Sequence, residues 1–271
     1  MRFKLFEKSC CNIIGMIHVP ALPGTPSSFY NMSEIMEKIE YEANVYRNHG
    51  VNGIILENMH DTPYSRGQDL GPEITACMSV LGSKVRSILP RKVPVGIQIL
   101  AGANQAALAA ALSADLQFVR VEGFVFSHVA DEGWIDSCAG ELLRFRRKIG
   151  AGSISIFSDI KKKHCSHSVT SDVDIIDTAK AADFFRSDGV IITGTSTGSP
   201  ASPLELELVS RAVPTLPVFI GSGVSASNLP EFSSATGLII GTYFKKDGDW
   251  RNDLDEGRIE EVMSESRKYL S

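Results

Sequence analysis

Short apolar runs alternate with amphipathic stretches eight times along this chain of 271 residues. Continuous apolar runs are typical of parallel strands covered on both faces, and apolar residues spaced by about 3.6 are typical of the helices that cover them. Eight such units over this length match one closed (β/α)8 barrel and leave no stretch for a second domain. We therefore predict a single α/β barrel domain over residues 1–271, with residues 1–12 as an N-terminal arm.

The predicted strands are residues 13–19, 53–56, 93–100, 118–121, 154–157, 190–193, 217–220 and 237–240. The predicted helices are residues 32–48, 72–88, 104–114, 139–149, 173–185, 203–212, 226–233 and 255–269. Asp172 and the Ser202-Pro203 pair are suited to begin the fifth and sixth helices. An open doubly wound sheet is the alternative, but no G-x-G-x-x-G follows the first strand.

The last two predicted strands each end in a glycine turn, Gly221-Ser222-Gly223 and Gly241-Thr242. The turns after the seventh and eighth strands of such barrels commonly hold a phosphate, because small residues let the anion reach backbone N–H groups. We predict that a phosphorylated small molecule binds Gly221, Ser222, Gly223, Gly241 and Thr242.

Nearly all of the six earlier predicted strands also end in polar residues. Most of these residues lie at the alternate positions of their strands whose side chains point into the barrel. Charge among apolar residues costs several kcal/mol unless it is paired. Either ion pairs such as Arg120 with Glu57 or Glu122 close the barrel mouth, or the group forms a substrate pocket. We favour the pocket, with His18, Glu57, Arg120, Asp159 and Lys163 as catalytic residues and Asn58, Gln98, Glu122, Thr193 and Thr195 as binding residues.

The roles of single residues stay open at this level. His18 is either a general base or a structural histidine whose hydrogen bonds are made within the fold. Glu57 and Asp159 either act as acid and base or hold a divalent cation that also meets the phosphate. His164, Cys165 and His167 lack a further ligand, so we predict no bound metal and no cofactor beyond that cation.

Composition excludes several classes of protein. A formal charge of −5 argues against nucleic-acid binding, and no apolar run reaches the ~18 residues of a membrane span. An odd set of cysteines without a C-x-x-C spacing indicates a reduced compartment, which we take to be the cytoplasm. The basic and aromatic residues 1–8 leave a mitochondrial address or a peripheral membrane contact open, and Trp134 suits a contact between copies in a homo-oligomer.

Several motifs, in order along nearly the whole chain, resemble the BtpA family. They are Ile14-Gly15-Met16-Ile17-His18, Glu57-Asn58, Asp131-Glu132-Gly133, Ser158-Asp159-Ile160, Thr193-Gly194 and Ile220-Gly221-Ser222-Gly223-Val224. The resemblance implies a phosphate-binding TIM barrel but no particular reaction, and the family takes its name from a cyanobacterial protein associated with photosystem I assembly.

Two functions of different class follow from these observations. The first is an isomerase, lyase or hydrolase that acts on a sugar phosphate or a nucleotide-derived compound. The second is a non-catalytic biogenesis or stability factor for membrane complexes. We favour the enzyme, because a scaffold has no need to keep charge in a barrel mouth.

Overall fold

The computed structural model describes residues 5–6, 11–194 and 198–269. Within them the elements alternate as the sequence predicts. The strands are β1 (Asn12–His18), β2 (Gly53–Glu57), β3 (Val95–Gln98), β4 (Phe118–Val121), β5 (His128–Ala130), β6 (Gly133–Ile135), β7 (Ser155–Ile160), β8 (Cys165–Ser166), β9 (Gly189–Ile192), β10 (Val218–Ile220) and β11 (Gly237–Ile240). The helices are α1 (Met32–His49), α2 (Pro72–Ile88), α3 (Asn104–Ser113), α4 (Ala139–Lys148), α5 (Ile175–Phe184), α6 (Pro203–Ala212) and α7 (Glu256–Ser266).

Eight parallel strands close into a barrel in the order β1-β11-β10-β9-β7-β4-β3-β2, which confirms the predicted fold. The helices surround it, and the main core lies between the helices and the outer faces of the strands. The three remaining strands form a small antiparallel sheet, β6-β5-β8, built from the segments that follow β4 and β7. No helix of the described residues is long and apolar enough to cross a membrane.

Aromatic rings fill the barrel at the amino ends of its strands. The ring centroid of Phe6 lies 5.7 Å from those of Phe118 and Phe219, and that of Phe157 is 6.2 Å away. Phe6 is buried in this cluster, so the described part of the N-terminal segment packs inside the barrel. The opposite end of the barrel is left for polar side chains. Asn12, assigned above to the arm, is the first residue of β1.

Three predicted elements differ from the structure. The segment predicted as a helix over 226–233 forms only a 3₁₀ turn, Leu229–Phe232, because Pro230 in its middle has no N–H to continue a helix. Asp174, not Asp172, caps α5 by accepting a hydrogen bond from the backbone N–H of Asp177. The fifth barrel strand, β7, runs to Ile160, so Asp159 lies within it. Ser202 caps α6 as predicted, with Pro203 at its first position.

Candidate functional site

A cavity of about 310 Å³ lies at the carboxyl ends of the barrel strands. The glycine turns after β10 and β11 form one side, and His18, Glu57, Arg120 and Lys163 form the other. These four side chains come from four barrel strands or from the loops directly after them. The cavity therefore places an anion-binding backbone next to titratable side chains.

The two glycine turns present backbone donors to this cavity. The amide N–H groups of Gly223, Val224, Gly241 and Thr242 have no hydrogen-bond acceptor among the described residues. Unpaired amides at such turns are what a phosphate requires. The N–H of Gly221 is already donated to the Ile192 carbonyl at 2.8 Å, so Gly221 shapes the turn without offering its amide.

Ser222 and Gly223 hold the first turn in place. The Ser222 hydroxyl donates to the Ser199 carbonyl at 3.0 Å. Gly223 adopts a left-handed conformation, with φ +67°, and a Cβ there would lie 2.3 Å from the Pro200 nitrogen. Only glycine fits this position, because the strain of the backbone and the collision with Pro200 act together. Gly241 in the second turn has φ −117° and lies against a side chain, since a Cβ there would be 2.8 Å from His18 Nε2.

Arg120 and Asp159 form a buried bidentate ion pair across β4 and β7. The Arg120 Nε lies 3.0 Å from Asp159 Oδ1, and an Arg120 terminal nitrogen lies 3.1 Å from Oδ2. Both side chains are almost fully buried, and Asp159 does not line the cavity. Asp159 therefore orients the Arg120 guanidinium, and the suggested pairing of Arg120 with Glu57 or Glu122 is wrong.

Glu57 is the carboxylate that faces the cavity. It is buried, and its carboxylate makes no hydrogen bond or ion pair to any described residue. Burial raises its pKa, and the nearby charges of Arg120 and Lys163 offset this only in part. A carboxyl group in this state exchanges a proton closer to neutral pH than an ordinary one does.

Lys163 contributes an ammonium group whose pKa is lowered, first by burial and then by the charge of Arg120. Its backbone N–H donates to the Thr193 hydroxyl at 3.2 Å, so Thr193 positions the Lys163 turn. The neighbours Lys161 and His164 both adopt left-handed backbone, with φ of 48° and 55°. Such strain is typical of turns that must aim a functional side chain.

His18 presents a bare ring nitrogen to the cavity. Burial and the charge of Lys245 hold its pKa well below 6.5, so the ring is neutral. Nδ1 lies 3.2 Å from the Trp250 carbonyl oxygen, which only accepts, so Nδ1 carries the proton. Nε2 is then an acceptor, and it lies beside Gly241 at the cavity wall. This tautomer is suited to a general base.

The structure does not bring every predicted binding residue into the cavity. Asn58 faces away from it, where its amide links the loops after β2 and β3 through Asp61 and both backbone groups of Leu100. Glu122 is held by Lys162 at 2.7 Å and by the Gly102 N–H at 2.8 Å. Thr195 lies outside the described residues.

Gln98 points into the barrel beside Glu57, its register partner on β2. It is buried, and its Oε1 atom has no hydrogen-bond partner in the part of the chain that the structure describes. An orphaned buried acceptor is uncommon and needs an explanation, such as a ligand or water that donates to it.

Sequence reasoning missed several residues of the site. Val224 carries an unpaired amide, and Met59 and Tyr243 line the cavity, yet none has a polar strand-end signal. Trp250, which fixes His18 through its carbonyl, comes from an irregular loop more than 200 residues away along the chain. Among the described residues, no group of three or more His, Cys, Asp or Glu side chains is arranged to hold a metal ion.

Known proteins are similar to this chain over nearly its whole length. The model of the BtpA family matches residues 9–268. A Caenorhabditis elegans protein, named as mitochondrial, is 52% identical over 263 residues, which cover 96% of this chain and 94% of that protein. The photosystem I biogenesis protein BtpA of Synechocystis is 31% identical over 262 residues, or 94% of this chain and 89% of that protein.

Solved structures agree on the fold at low sequence identity. Phosphoribosyl anthranilate isomerase from Thermus thermophilus superposes with a TM-score of 0.58 at 11% identity, covering 95% of this chain and 98% of that chain. Orotidine 5′-monophosphate decarboxylase from Methanocaldococcus jannaschii, in complex with an inhibitor, gives 0.58 at 11% identity, covering 94% and 98%. At this identity the similarity concerns the barrel fold alone.

Proposed function

The chain belongs to the BtpA family, and from this premise we propose that it is an enzyme acting on a phosphorylated small molecule. The observation that carries the proposal is a cavity in which backbone amides, unpaired among the described residues, meet Glu57, Lys163 and His18. The amides of both glycine turns bind the phosphate, and the side chains act on the remainder of the molecule.

Each side chain of the cavity has its own role in the proposed reaction. Arg120, fixed by Asp159, stabilises negative charge that develops on the substrate. Glu57 and Lys163 exchange protons with it, because the raised pKa of the carboxyl and the lowered pKa of the amine bring both toward neutral pH. The neutral His18 accepts a proton through Nε2. This set serves isomerisation, aldol cleavage or glycosidic hydrolysis, each of which needs a proton donor and a proton acceptor.

Glu57 favours an enzyme on energetic grounds. A buried carboxylate without a partner costs the folded protein several kcal/mol. A barrel that served only as a scaffold gains nothing from that cost, whereas a catalytic site does. We therefore place Glu57 at the reacting end of the substrate.

A panel of phosphate monoesters, including ribose 5-phosphate, tests the proposal by thermal unfolding. We expect at least one to stabilise the wild-type protein and Ser234→Glu but not Thr242→Glu. Both variants add one carboxylate, but Ser234 is exposed and precedes β11 at the opposite end of the barrel. The stabilising compound should also be turned over, and Glu57→Gln should bind it without turnover. Equal stabilisation of both variants, or none of the wild type, would overturn the phosphate site.

The name of the Synechocystis relative favours a second candidate, a non-catalytic factor for the biogenesis of membrane complexes. It predicts binding of a phosphorylated compound without any turnover, and association with a membrane complex that survives Glu57→Gln. The name of the Caenorhabditis elegans relative supports mitochondria, rather than the cytoplasm, as the compartment. Imaging of a fluorescent fusion of the full chain tests this.

A further inference from the structure

A second cavity, of about 880 Å³, adjoins the first at His18, which lines both. Aromatic side chains form much of its wall, among them Tyr30, Tyr41, His60 and Trp250. Four acidic and four basic side chains also line it, so the cavity offers no net charge for a second phosphate. Its walls suit a flat, uncharged group of a ligand.

Trp250 provides the main flat surface. Its ring centroid lies 4.8 Å from that of His60, and the ring of His18 lies 6.3 Å away at a near-perpendicular angle. The Trp250 carbonyl accepts a hydrogen bond from His18 at 3.2 Å, so the backbone of this loop is fixed to the wall of the first cavity. A planar group stacked on Trp250 would therefore lie next to His18, whose side chain also lines the cavity of the phosphate-binding turns.

Glu42 adds a specific hydrogen-bond acceptor to the same cavity. One of its carboxylate oxygens, Oε1, accepts from the buried Lys245 ammonium. The other, Oε2, is buried and has no hydrogen-bond partner among the described residues. Glu42 lines the cavity but Oε2 itself is covered, so a small movement of the carboxylate on binding would bring this atom to a ligand N–H and satisfy it.

We infer that the second cavity holds the base of a nucleoside 5′-monophosphate whose phosphate occupies the glycine turns, the base stacking on Trp250 and donating an N–H to Glu42. This inference rests on the proposed function and narrows its substrate class. The glycine turns line the first cavity, while the second, of about 880 Å³, has the volume and the aromatic wall for a ring system.

Calorimetry with three ligands tests the inference. The affinity for ribose 5-phosphate measures binding in the first cavity alone. Adenosine 5′-monophosphate adds a base that carries an amino group. Purine riboside 5′-monophosphate has the same ring system without that amino group. We expect the adenosine compound to bind about tenfold or more tightly than ribose 5-phosphate. The purine riboside compound should lose about tenfold of that affinity, because Glu42 Oε2 is left unpaired.

Variants at the two tryptophans of the chain provide the controls. Trp250→Ala should remove the advantage of the adenosine compound and leave the affinity for ribose 5-phosphate unchanged, since the backbone carbonyl that holds His18 remains. Trp134→Ala, at an exposed site on β6, should change neither affinity. In Trp134→Phe, where Trp250 is the single tryptophan, the adenosine compound should quench fluorescence and ribose 5-phosphate should not.

The outcomes separate the two proposals. If ribose 5-phosphate binds and the adenosine compound binds no more tightly, the base site is wrong and the phosphate site stands. If the adenosine compound binds more tightly without quenching Trp250, the base lies elsewhere and the inference also fails. If neither compound binds, the inference fails, and the panel of phosphate monoesters decides the proposed function separately.

Discussion

Arg120 and Asp159 are joined by hydrogen bonds of 3.0 and 3.1 Å at the mouth of the barrel, and their side chains are only 5% and 2% exposed. Both oxygens of Asp159 are occupied by Arg120, so this carboxylate is not available to a substrate. Glu57, two strands from Arg120 in the barrel, lines the cavity, and its carboxylate has no such partner within the described ranges. Of the two carboxylates that the sequence offers as an acid–base pair, the geometry leaves Glu57 for that role and gives Asp159 the role of holding Arg120.

Asp159→Asn should destabilise the protein by about 3–5 kcal/mol, because it leaves the buried guanidinium without its countercharge. Lys163→Met should keep or raise stability, since Lys163 has no ion-pair partner among the described residues and burial disfavours its charge. Urea unfolding of the two variants measures this. Large losses in both would show that Lys163 is a structural ion-pair partner and would remove it from the catalytic set.

Glu57→Gln should stabilise the protein in a pH-dependent manner. The carboxyl pKa is raised above 4.5 in the folded state, so the folded protein binds the proton more tightly than the unfolded chain does. Below the unfolded pKa both states are protonated and the variant gains little. Between the unfolded and the folded pKa only the unfolded chain has released its proton, so the advantage of the variant grows by about 1.4 kcal/mol for each pH unit. Above the folded pKa the folded wild type carries the buried charge, and the advantage stays at its full value.

Unfolding free energies at about pH 4 and about pH 8 measure this difference. Glu141→Gln is the control, because Glu141 is exposed in the first turn of α4. A stability difference between wild type and Glu57→Gln that stays constant with pH would contradict the buried, unpaired state of Glu57.

The barrel and the inward parity of its strands follow from sequence because both depend on short-range patterns. Alternation along β1 places Ile14, Met16 and His18 on one side, and the structure has the two apolar residues in the barrel interior below His18. Parity alone does not reveal which inward charges pair. Arg120 and Asp159 meet because β4 and β7 are neighbours in the closed barrel, which is a tertiary relationship.

The contacts made by the irregular loops cannot be predicted from sequence patterns, for a different reason. Asn58 looks like a site residue because it follows a strand, yet it lies on the outer parity and binds loop backbone instead. Trp250 has no periodic pattern around it, and its contact with His18 joins the two ends of the chain. Pro230 is a local signal against the helix predicted over 226–233, because it has no N–H to continue one.

The tautomer of His18 is open to direct measurement. We expect nitrogen NMR of the imidazole to show a proton on Nδ1 and a bare Nε2, because the Trp250 carbonyl accepts only from Nδ1. The ring should show no titration near 6.5, since burial lowers its pKa well below that value. A proton on Nε2 at neutral pH, or titration at the ordinary pKa, would exclude Nε2 as the base.

Gly223→Ala should cost more stability than Gly150→Ala. Both glycines have left-handed backbone, with φ of 67° and 75°, so both substitutions incur about 1–2 kcal/mol of strain. At Gly150 nothing lies within 4 Å of the added Cβ, whereas at Gly223 it meets the backbone of Pro200. The substitution at Gly223 should therefore cost about 1–3 kcal/mol more in urea unfolding. Equal losses would show that the turn after β10 is not packed against Pro200.

The most direct test of the phosphate site is a crystal of the wild-type protein soaked in arsenate, a phosphate analogue whose position is fixed by its anomalous scattering. We predict a peak between the two glycine turns, within hydrogen-bond distance of the Gly223, Val224 and Thr242 amides and on the same cavity as Glu57 and Lys163. Arsenate bound elsewhere on the molecule, with the space between the two turns unoccupied, would contradict the account.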